Sequence, residues 1–150
     1  MKKILFFTLL LLSVRASAQE NAYDSILAKK LNADERGMKM YVLVILKTGP
    51  VKDLPKADRD SLFKGHINNI IRLADEGKLS LAGPFEKNEL NYRGLFIFNV
   101  STVEEAKSLV ATDPAVKAGL FDAEYIQWYA SAAVQEINGI HKKIQRKKIF

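Results

Sequence analysis

One histidine of this 150-residue chain lies on a helical stripe that is otherwise apolar. At helical spacing, the side chains that share a face with His66 are Leu62, Phe63, Ile67, Ile70, Leu73 and Ala74. This pattern predicts a largely buried imidazole. Because histidine takes up and releases protons near neutral pH, a buried ring can serve as acid, base or ligand in a cavity. The alternative is a core histidine whose ring bonds to a backbone carbonyl.

A second candidate is Asp113, which directly precedes Pro114. Aspartate followed by proline is a preferred start of a helix, because the carboxylate caps backbone N–H groups and proline fits the first helical position. Such a cap contributes roughly 1 kcal/mol to helix stability without any catalysis. From the residues alone, the structural role of Asp113 is the stronger interpretation.

A third candidate is the turn Gly83-Pro84-Phe85, where a predicted strand ends beside the helix that carries His66. These three residues are predicted to shape a substrate pocket. The alternative is a turn that only terminates the strand, which is the more frequent reason for Gly-Pro.

Other catalytic chemistries have little support in the sequence. The chain contains no cysteine, which excludes thiol catalysis and a lipid anchor on cysteine. Ser80, Ser101 and Thr112 lack a nucleophile-elbow motif, and no glycine-rich phosphate loop is present. A catalytic zinc site needs about three protein ligands, and the second histidine, His141, lies near the C-terminus. We therefore expect neither a metal nor another cofactor.

The elements that must position these residues follow the order β-α-β-β-α-β. Apolar runs and turn residues predict strands at 40–47, 78–82, 93–100 and 120–129, and helices at 58–76 and 103–111 followed by a helical turn at 113–119. This order predicts an α+β fold of the ferredoxin-like split βαβ type, a four-stranded antiparallel sheet with two helices on one face.

The strands are apolar on both faces, so the second face of the sheet also needs a cover. We expect that a second copy of the chain covers it. This predicts a homodimer that forms through the sheet face.

The first residues resemble an export signal. Lys2 and Lys3 precede an apolar run at 4–12, and Ala16-Ser17-Ala18 fits a signal-peptidase site. We expect cleavage after Ala18 and export to the periplasm or the medium. The predicted organisation is a signal at 1–18, a polar N-terminal extension at 19–39, one domain at 40–130 and a basic C-terminal extension at 131–150.

The net charge of +6 is unevenly distributed. Three cationic residues lie in the leader and five in the last ten residues, and residues 19–140 contain slightly more acidic than basic side chains. The basic tail is expected to be disordered or a frayed helix with at most a weak attraction to anionic surfaces. Because basic side chains do not alternate with the aromatic ones, no specific nucleic-acid binding is expected.

Two segments, HINNIIRLADEGKLSLAGPF and ATDPAVKAGLFDAEYIQWY, are similar to the YciI-like (YCII-related) family, and the resemblance runs over about 40–129. It implies a dimeric α/β-barrel of ferredoxin-like protomers. It also implies a pocket in which a histidine and an aspartate act together, here His66 and Asp113. The few activities attributed to the family are lyase-like or dehalogenating steps on small ring compounds.

The implied pair has a clear chemical use. A carboxylate that accepts a hydrogen bond from one imidazole nitrogen fixes the tautomer and makes the other nitrogen a stronger base. This favours a small-molecule lyase or isomerase that transfers protons on an unknown organic ligand. The alternative is a non-catalytic ligand-binding or structural dimer of the bacterial envelope. Ala115 replaces the bulky aromatic usual in the family, which is expected to enlarge the pocket and leaves the substrate open.

Overall fold

A computed structural model describes residues 23–147, so the predicted signal at 1–18 lies outside the described residues. The strands are β1 Met38–Thr48, β2 Leu79–Pro84, β3 Tyr92–Phe98 and β4 Phe121–Ser131. The helices are α1 Ser25–Lys30, α2 Lys56–Asp75, α3 Val103–Val110, α4 Pro114–Lys117 and α5 Ile137–Ile144, with a 3₁₀ helix at Ala132–Glu136.

The four strands form one antiparallel sheet in the order β2-β3-β1-β4. The first and third strands are central because the two helical crossovers each carry the chain past a neighbouring strand. The predicted α+β, ferredoxin-like fold is confirmed.

Most side chains of strand β1 are apolar, and both faces of the strand are at least partly covered. Val42 and Val44 are fully buried and Leu46 nearly so, on the side that carries the helices. They belong to a core that contains side chains of α2, α3 and β3: Leu73, Ala106, Val110, Phe96 and Phe98. Burial of one such aliphatic or aromatic side chain contributes about 1.5–3 kcal/mol, so this layer holds α2 and α3 on the sheet.

The opposite face of the sheet is covered only in part. Tyr41, Ile97 and Ala130 form a smaller buried cluster there, and Val134 of the 3₁₀ helix packs against it. Trp128 on the same face is 36% exposed. The C-terminal segment therefore covers part of a face that remains apolar along β4.

The segment after β4 is helical and attached to the domain. The Asn138 side-chain amide donates to the Leu79 carbonyl at 2.6 Å, and Lys142 Nζ lies 2.8 Å from Asp75 Oδ1. These contacts place α5 beside β2 and the C-terminal half of α2. Among the described residues, no helix combines the length and the apolar character needed to cross a bilayer.

Candidate functional site

His66 lies in the middle of α2 and faces the sheet, with 6% of its surface exposed. Its ring centroid lies 5.1 Å from that of Phe121, 5.8 Å from that of Phe63 and 5.9 Å from that of Phe96. The three phenyl rings come from β4, from the preceding turn of α2 and from β3. They surround the imidazole with apolar surface, which strengthens any electrostatic interaction that the ring makes.

Among residues 23–147, the polar contact of this ring is with Asp113. Nδ1 of His66 lies 2.6 Å from Oδ2 of Asp113, a carboxylate that is only 1% exposed. Because an ionised carboxylate only accepts hydrogen bonds, Nδ1 carries the hydrogen and donates it. The carboxylate therefore fixes both the tautomer and the orientation of the imidazole.

Asp113 uses its two oxygens for two different tasks. Oδ1 accepts a hydrogen bond from the backbone N–H of Ala115 at 2.8 Å and so caps α4, whereas Oδ2 faces His66. The structure thus shows both the cap of α4 and the contact with His66, one for each oxygen. A buried carboxylate with both oxygens bonded avoids most of the desolvation cost of an unpaired charge.

The second ring nitrogen of His66, Nε2, has no hydrogen-bond partner among residues 23–147. In the same described range, Ser80 Oγ is the only fully buried side-chain polar atom that has no hydrogen-bond partner. Because Nε2 has no partner and is not such an atom, it keeps some contact with solvent. The pair therefore presents one acceptor nitrogen to whatever enters beside it.

A polar cluster of Asn69, Arg72 and Thr112 ties the two members of the pair together. Arg72 Nη2 donates to Asn69 Oδ1 at 2.8 Å and to Thr112 Oγ1 at 3.0 Å, and the Thr112 hydroxyl lies 2.9 Å from Asn69 Oδ1. Asn69 is one turn after His66, and Thr112 directly precedes Asp113. The cluster thus holds α2 at a fixed distance from the segment that carries the carboxylate.

A glycine brings α2 close to α4. A Cβ atom at Gly65 would lie 3.0 Å from Cγ of Pro114, closer than side chains ordinarily pack. Glycine inside a helix costs roughly 1 kcal/mol relative to alanine, so this position needs a packing reason. The close approach of Pro114 provides that reason, and it also brings α2 close to Asp113, which directly precedes Pro114.

A cavity of about 770 Å³ lies along the N-terminal half of α2 and includes Phe63 and Phe121 in its wall. We call it the site cavity. His66 and Asp113 are not among its lining residues, but these two phenyl rings are also ring neighbours of the imidazole. Its cationic lining residues are Lys52, Arg59, Lys64 and Arg93.

A second cavity, of about 760 Å³, lies between the C-terminal half of α2 and α5. We call it the C-terminal cavity. Its lining includes Asn138, His141 and Lys142, but neither His66 nor Asp113.

Several titrating side chains of the strands have shifted pKa values. Burial lowers the pKa of Lys39 and raises that of Tyr125, and a hydrogen bond from Lys47 to Glu124 raises the pKa of that lysine. Each shift has a structural cause.

Residues 40–129 match the model of the YCII-related domain, and this range contains the whole His66–Asp113 pair. The chain belongs to the YCII-related domain family. No curated protein matches it. Among solved structures, a similar one is 5-chloro-2-hydroxyhydroquinone dehydrochlorinase (TftG) from Burkholderia phenoliruptrix in complex with 2,5-dihydroxybenzoquinone. The two chains are 23% identical, the match covers 59% of this chain and 90% of the other, and the TM-score is 0.41.

The predicted substrate-binding turn of this YCII-related domain lies at the exposed end of β2. Pro84 pairs with Gly94 of β3, and the Phe85 ring lies 6.3 Å from the Tyr92 ring. Gly83, Pro84 and Phe85 line neither the site cavity nor the C-terminal cavity. Their role in substrate binding stays a prediction.

The same YCII-related domain has no group of three potential metal ligands within the described range. His66 has one carboxylate beside it, and His141 lies in α5. The donor set at the pair therefore suits proton transfer better than metal binding.

Sequence reasoning found His66 and Asp113 but missed their supporting residues. Asn69 had a detectable signal, because its spacing of three residues from His66 places a polar side chain on the same apolar face of the predicted helix. Gly65, inside a predicted helix, was a second signal. The contacts of Phe96 and Phe121 with the His66 imidazole had no signal in the sequence, since they depend on how the strands are placed against α2.

Proposed function

We propose that this YCII-related protein is an enzyme that transfers a proton on a small organic molecule, with His66 as acid and base and Asp113 as the group that positions it. The observation that carries the proposal is the 2.6 Å contact between Nδ1 and the Asp113 carboxylate, with Nε2 left without a partner in the described range. This arrangement is the one that a histidine general base requires.

The proposed step begins at Nε2. Its lone pair removes a proton from a C–H or O–H group of the ligand, and the resulting imidazolium is stabilised by the adjacent carboxylate, which remains ionised. The electron pair left on the ligand forms a new double bond as a second pair is displaced. If a β-substituent leaves with its bonding electrons, the reaction is an elimination, and the imidazolium then gives its proton to the departed group or to water. If the electrons of an adjacent double bond shift instead, Nε2 returns the proton to the atom that receives them, and the reaction is an isomerisation. A lyase or an isomerase is therefore the reaction class that the pair supports.

The apolar surroundings of the ring support the same proposal. Phe63, Phe96 and Phe121 limit the access of water to the imidazole. Exclusion of water protects a carbanion or enolate from premature protonation and strengthens the attraction between imidazolium and carboxylate.

A non-catalytic ligand-binding module is the second candidate, and one observation favours it. The cap from Asp113 to Ala115 gives the carboxylate a structural task that needs no substrate. Under this alternative the imidazole is held in place only as part of the packing.

The experiment compares proton exchange in the native protein and two variants. Cyclic ketones, substituted hydroquinones and their β-halogenated analogues are incubated with protein in D₂O, and NMR detects deuterium incorporation or elimination products. We expect His66→Gln and Asp113→Asn to reduce the rate by about 100-fold or more, the usual size of a general-base contribution. Asparagine remains a good helix cap, so Asp113→Asn keeps the α4 cap while it removes the ionised partner. Unchanged rates in both folded variants would contradict the proposal.

A second measurement needs no substrate. Long-range ¹H–¹⁵N spectra of the imidazole report which ring nitrogen carries the hydrogen. We expect the Nδ1–H tautomer of neutral His66 in the native protein and its loss or mixture in Asp113→Ala. An Nε2–H tautomer in the native protein would exclude Nε2 as the base.

We also propose that the protein is a homodimer that forms through the partly covered sheet face. Ile126 and Trp128 are 49% and 36% exposed there, which leaves an apolar strip on β4. Sedimentation velocity at micromolar concentration is expected to show a dimer, and Trp128→Glu to show a monomer.

Finally, we propose that the protein is exported and that residues 1–18 are removed. Intact mass of the exported protein is expected to begin at Gln19. A mass that retains residues 1–18 would contradict this.

A further inference from the structure

The site cavity is lined by more positive than negative charge. Lys52, Arg59, Lys64 and Arg93 are its cations, and Asp60 is its one acidic side chain in the described part of the chain. The cations come from three different parts of the fold: the loop after β1, the N-terminal half of α2, and β3. The sequence gives no indication of this concentration of charge.

The side chains of three of these four cations have no partner in the part of the chain that the structure describes. Asp60 is engaged by Lys56 across one helical turn, and Arg59 donates to the Leu54 carbonyl at 3.1 Å. The side chains of Lys52, Lys64 and Arg93 make no hydrogen bond or ion pair with any other described residue. Like charges placed together without counter-charges repel one another, and a bound anion relieves that repulsion.

The rest of the wall is apolar. Val51, Phe63, Leu120 and Phe121 line the same cavity. Two of them, Phe63 and Phe121, are also the ring neighbours of His66. A ligand that rests on these rings is therefore separated from the imidazole by the thickness of one phenyl ring.

We propose that the site cavity binds a small organic anion that contains an unsaturated ring, with its carboxylate or phenolate oxygen toward Lys52, Lys64 and Arg93 and its ring against Phe63 and Phe121. A volume of about 770 Å³ is within the range of cavities that hold small ligands and is ample for one ring. This inference rests on the proposed function, because it names the substrate class on which the His66–Asp113 pair acts.

The charges would assist the proposed chemistry as well as binding. Removal of a proton by Nε2 leaves negative charge on the ligand. Fixed cations beside that charge lower its energy in the transition state, and they do so most effectively where apolar walls exclude water. An anionic substrate thus matches both the lining of the cavity and the base next to it.

The test is an NMR titration of the protein with three probes: benzoate, its neutral isostere benzamide, and acetate. We expect benzoate to shift the backbone amides of Thr48, Phe63 and Phe121 in a saturable way. Benzamide and acetate are each expected to bind about tenfold more weakly, because benzamide lacks the charge and acetate lacks the ring. Equal affinity for benzamide would overturn the role of the cations, and equal affinity for acetate would overturn the role of the rings.

A matched pair of variants separates local charge from net charge. Lys64→Gln/Arg93→Gln removes two cations from the cavity, and Lys29→Gln/Lys87→Gln removes two exposed cations that line neither cavity. We expect the first to weaken benzoate binding about tenfold and the second less than about twofold. Equal weakening by both variants would overturn the proposal, since net charge alone would then account for the binding.

His66→Gln distinguishes this inference from the proposed function. We expect it to bind benzoate within about threefold of the native protein, because the anion is held by the cations and phenyl rings. Charge-dependent binding without any turnover that requires His66 would contradict the proposed function and leave the binding site standing. Turnover of neutral compounds that requires His66, without benzoate binding, would overturn this inference alone.

Discussion

Two cavities of nearly equal volume lie along the two halves of α2, and the protein uses their polar groups differently. In the C-terminal cavity, Lys142 is paired with Asp75 and Asn138 bonds to a carbonyl of β2. In the site cavity, Lys64 and Arg93 form no ion pair with a described residue. Arg146 in the C-terminal cavity also has no ion pair within the described range, so the clearer difference is the balance of charge: four cations and one acidic side chain line the site cavity, whereas Lys142 and Arg146 accompany Asp75 in the C-terminal cavity. Volume therefore does not distinguish the two cavities, but the excess of positive charge does.

The largest expected difference concerns the two histidines. His66→Gln is expected to lower turnover by about 100-fold or more, because Nε2 is the proposed base. His141→Gln, the same change in the C-terminal cavity, is expected to leave turnover within about twofold. Rates of deuterium incorporation measure both. An equal loss in the two variants would remove the functional distinction between the cavities.

The next comparison uses two asparagines. Asn69→Ala removes the central acceptor of the cluster that ties α2 to Thr112, so His66 and Asp113 lose part of their alignment. We expect turnover to fall about tenfold, with an altered pH profile, and the free energy of unfolding to fall by about 1–2 kcal/mol. Asn138→Ala is expected to cost about 1 kcal/mol without an effect on turnover. Chemical denaturation and rate measurements against pH check the pair.

Two helical glycines provide the third comparison. Gly139 of α5 has open space where a Cβ would lie, so Gly139→Ala is expected to stabilise the protein by about 0.5–1 kcal/mol through helix propensity. At Gly65 the same methyl group meets Pro114, and overpacking typically costs about 1–3 kcal/mol. We expect Gly65→Ala to give no gain in stability and to lower turnover, because Pro114 moves together with Asp113. A gain of similar size at both positions would show that α4 is free to shift.

The smallest expected effect concerns the ion pair that fastens α5. Lys142 and Asp75 are more than half exposed, so water and salt screen their attraction. Lys142→Gln is expected to lower the unfolding free energy by at most about 0.5 kcal/mol, with the difference vanishing at high salt. A larger loss in thermal or chemical denaturation would contradict this expectation and show that the ion pair fastens α5 strongly in spite of its exposure.

Much of the fold was predictable because its signals are local. The β-α-β-β-α-β order followed from apolar runs and turn residues. The observed α2 ends at Asp75, one residue before the predicted end at 76, and Gly77 follows with a φ of +69°. Strand lengths were less predictable. β1 begins at Met38 and β4 continues to Ser131 because these two residues pair with each other, which no local pattern encodes.

The sequence by itself determined the candidate residues: a histidine on an apolar helical face and an aspartate before a proline. Their types and flanking residues carry that information. Only the tertiary structure decided that Nδ1 lies 2.6 Å from a carboxylate 47 residues away, that three phenyl rings surround the imidazole, and that unpaired cations line the neighbouring cavity. These contacts join separate elements, so their distances depend on how the helices pack on the sheet.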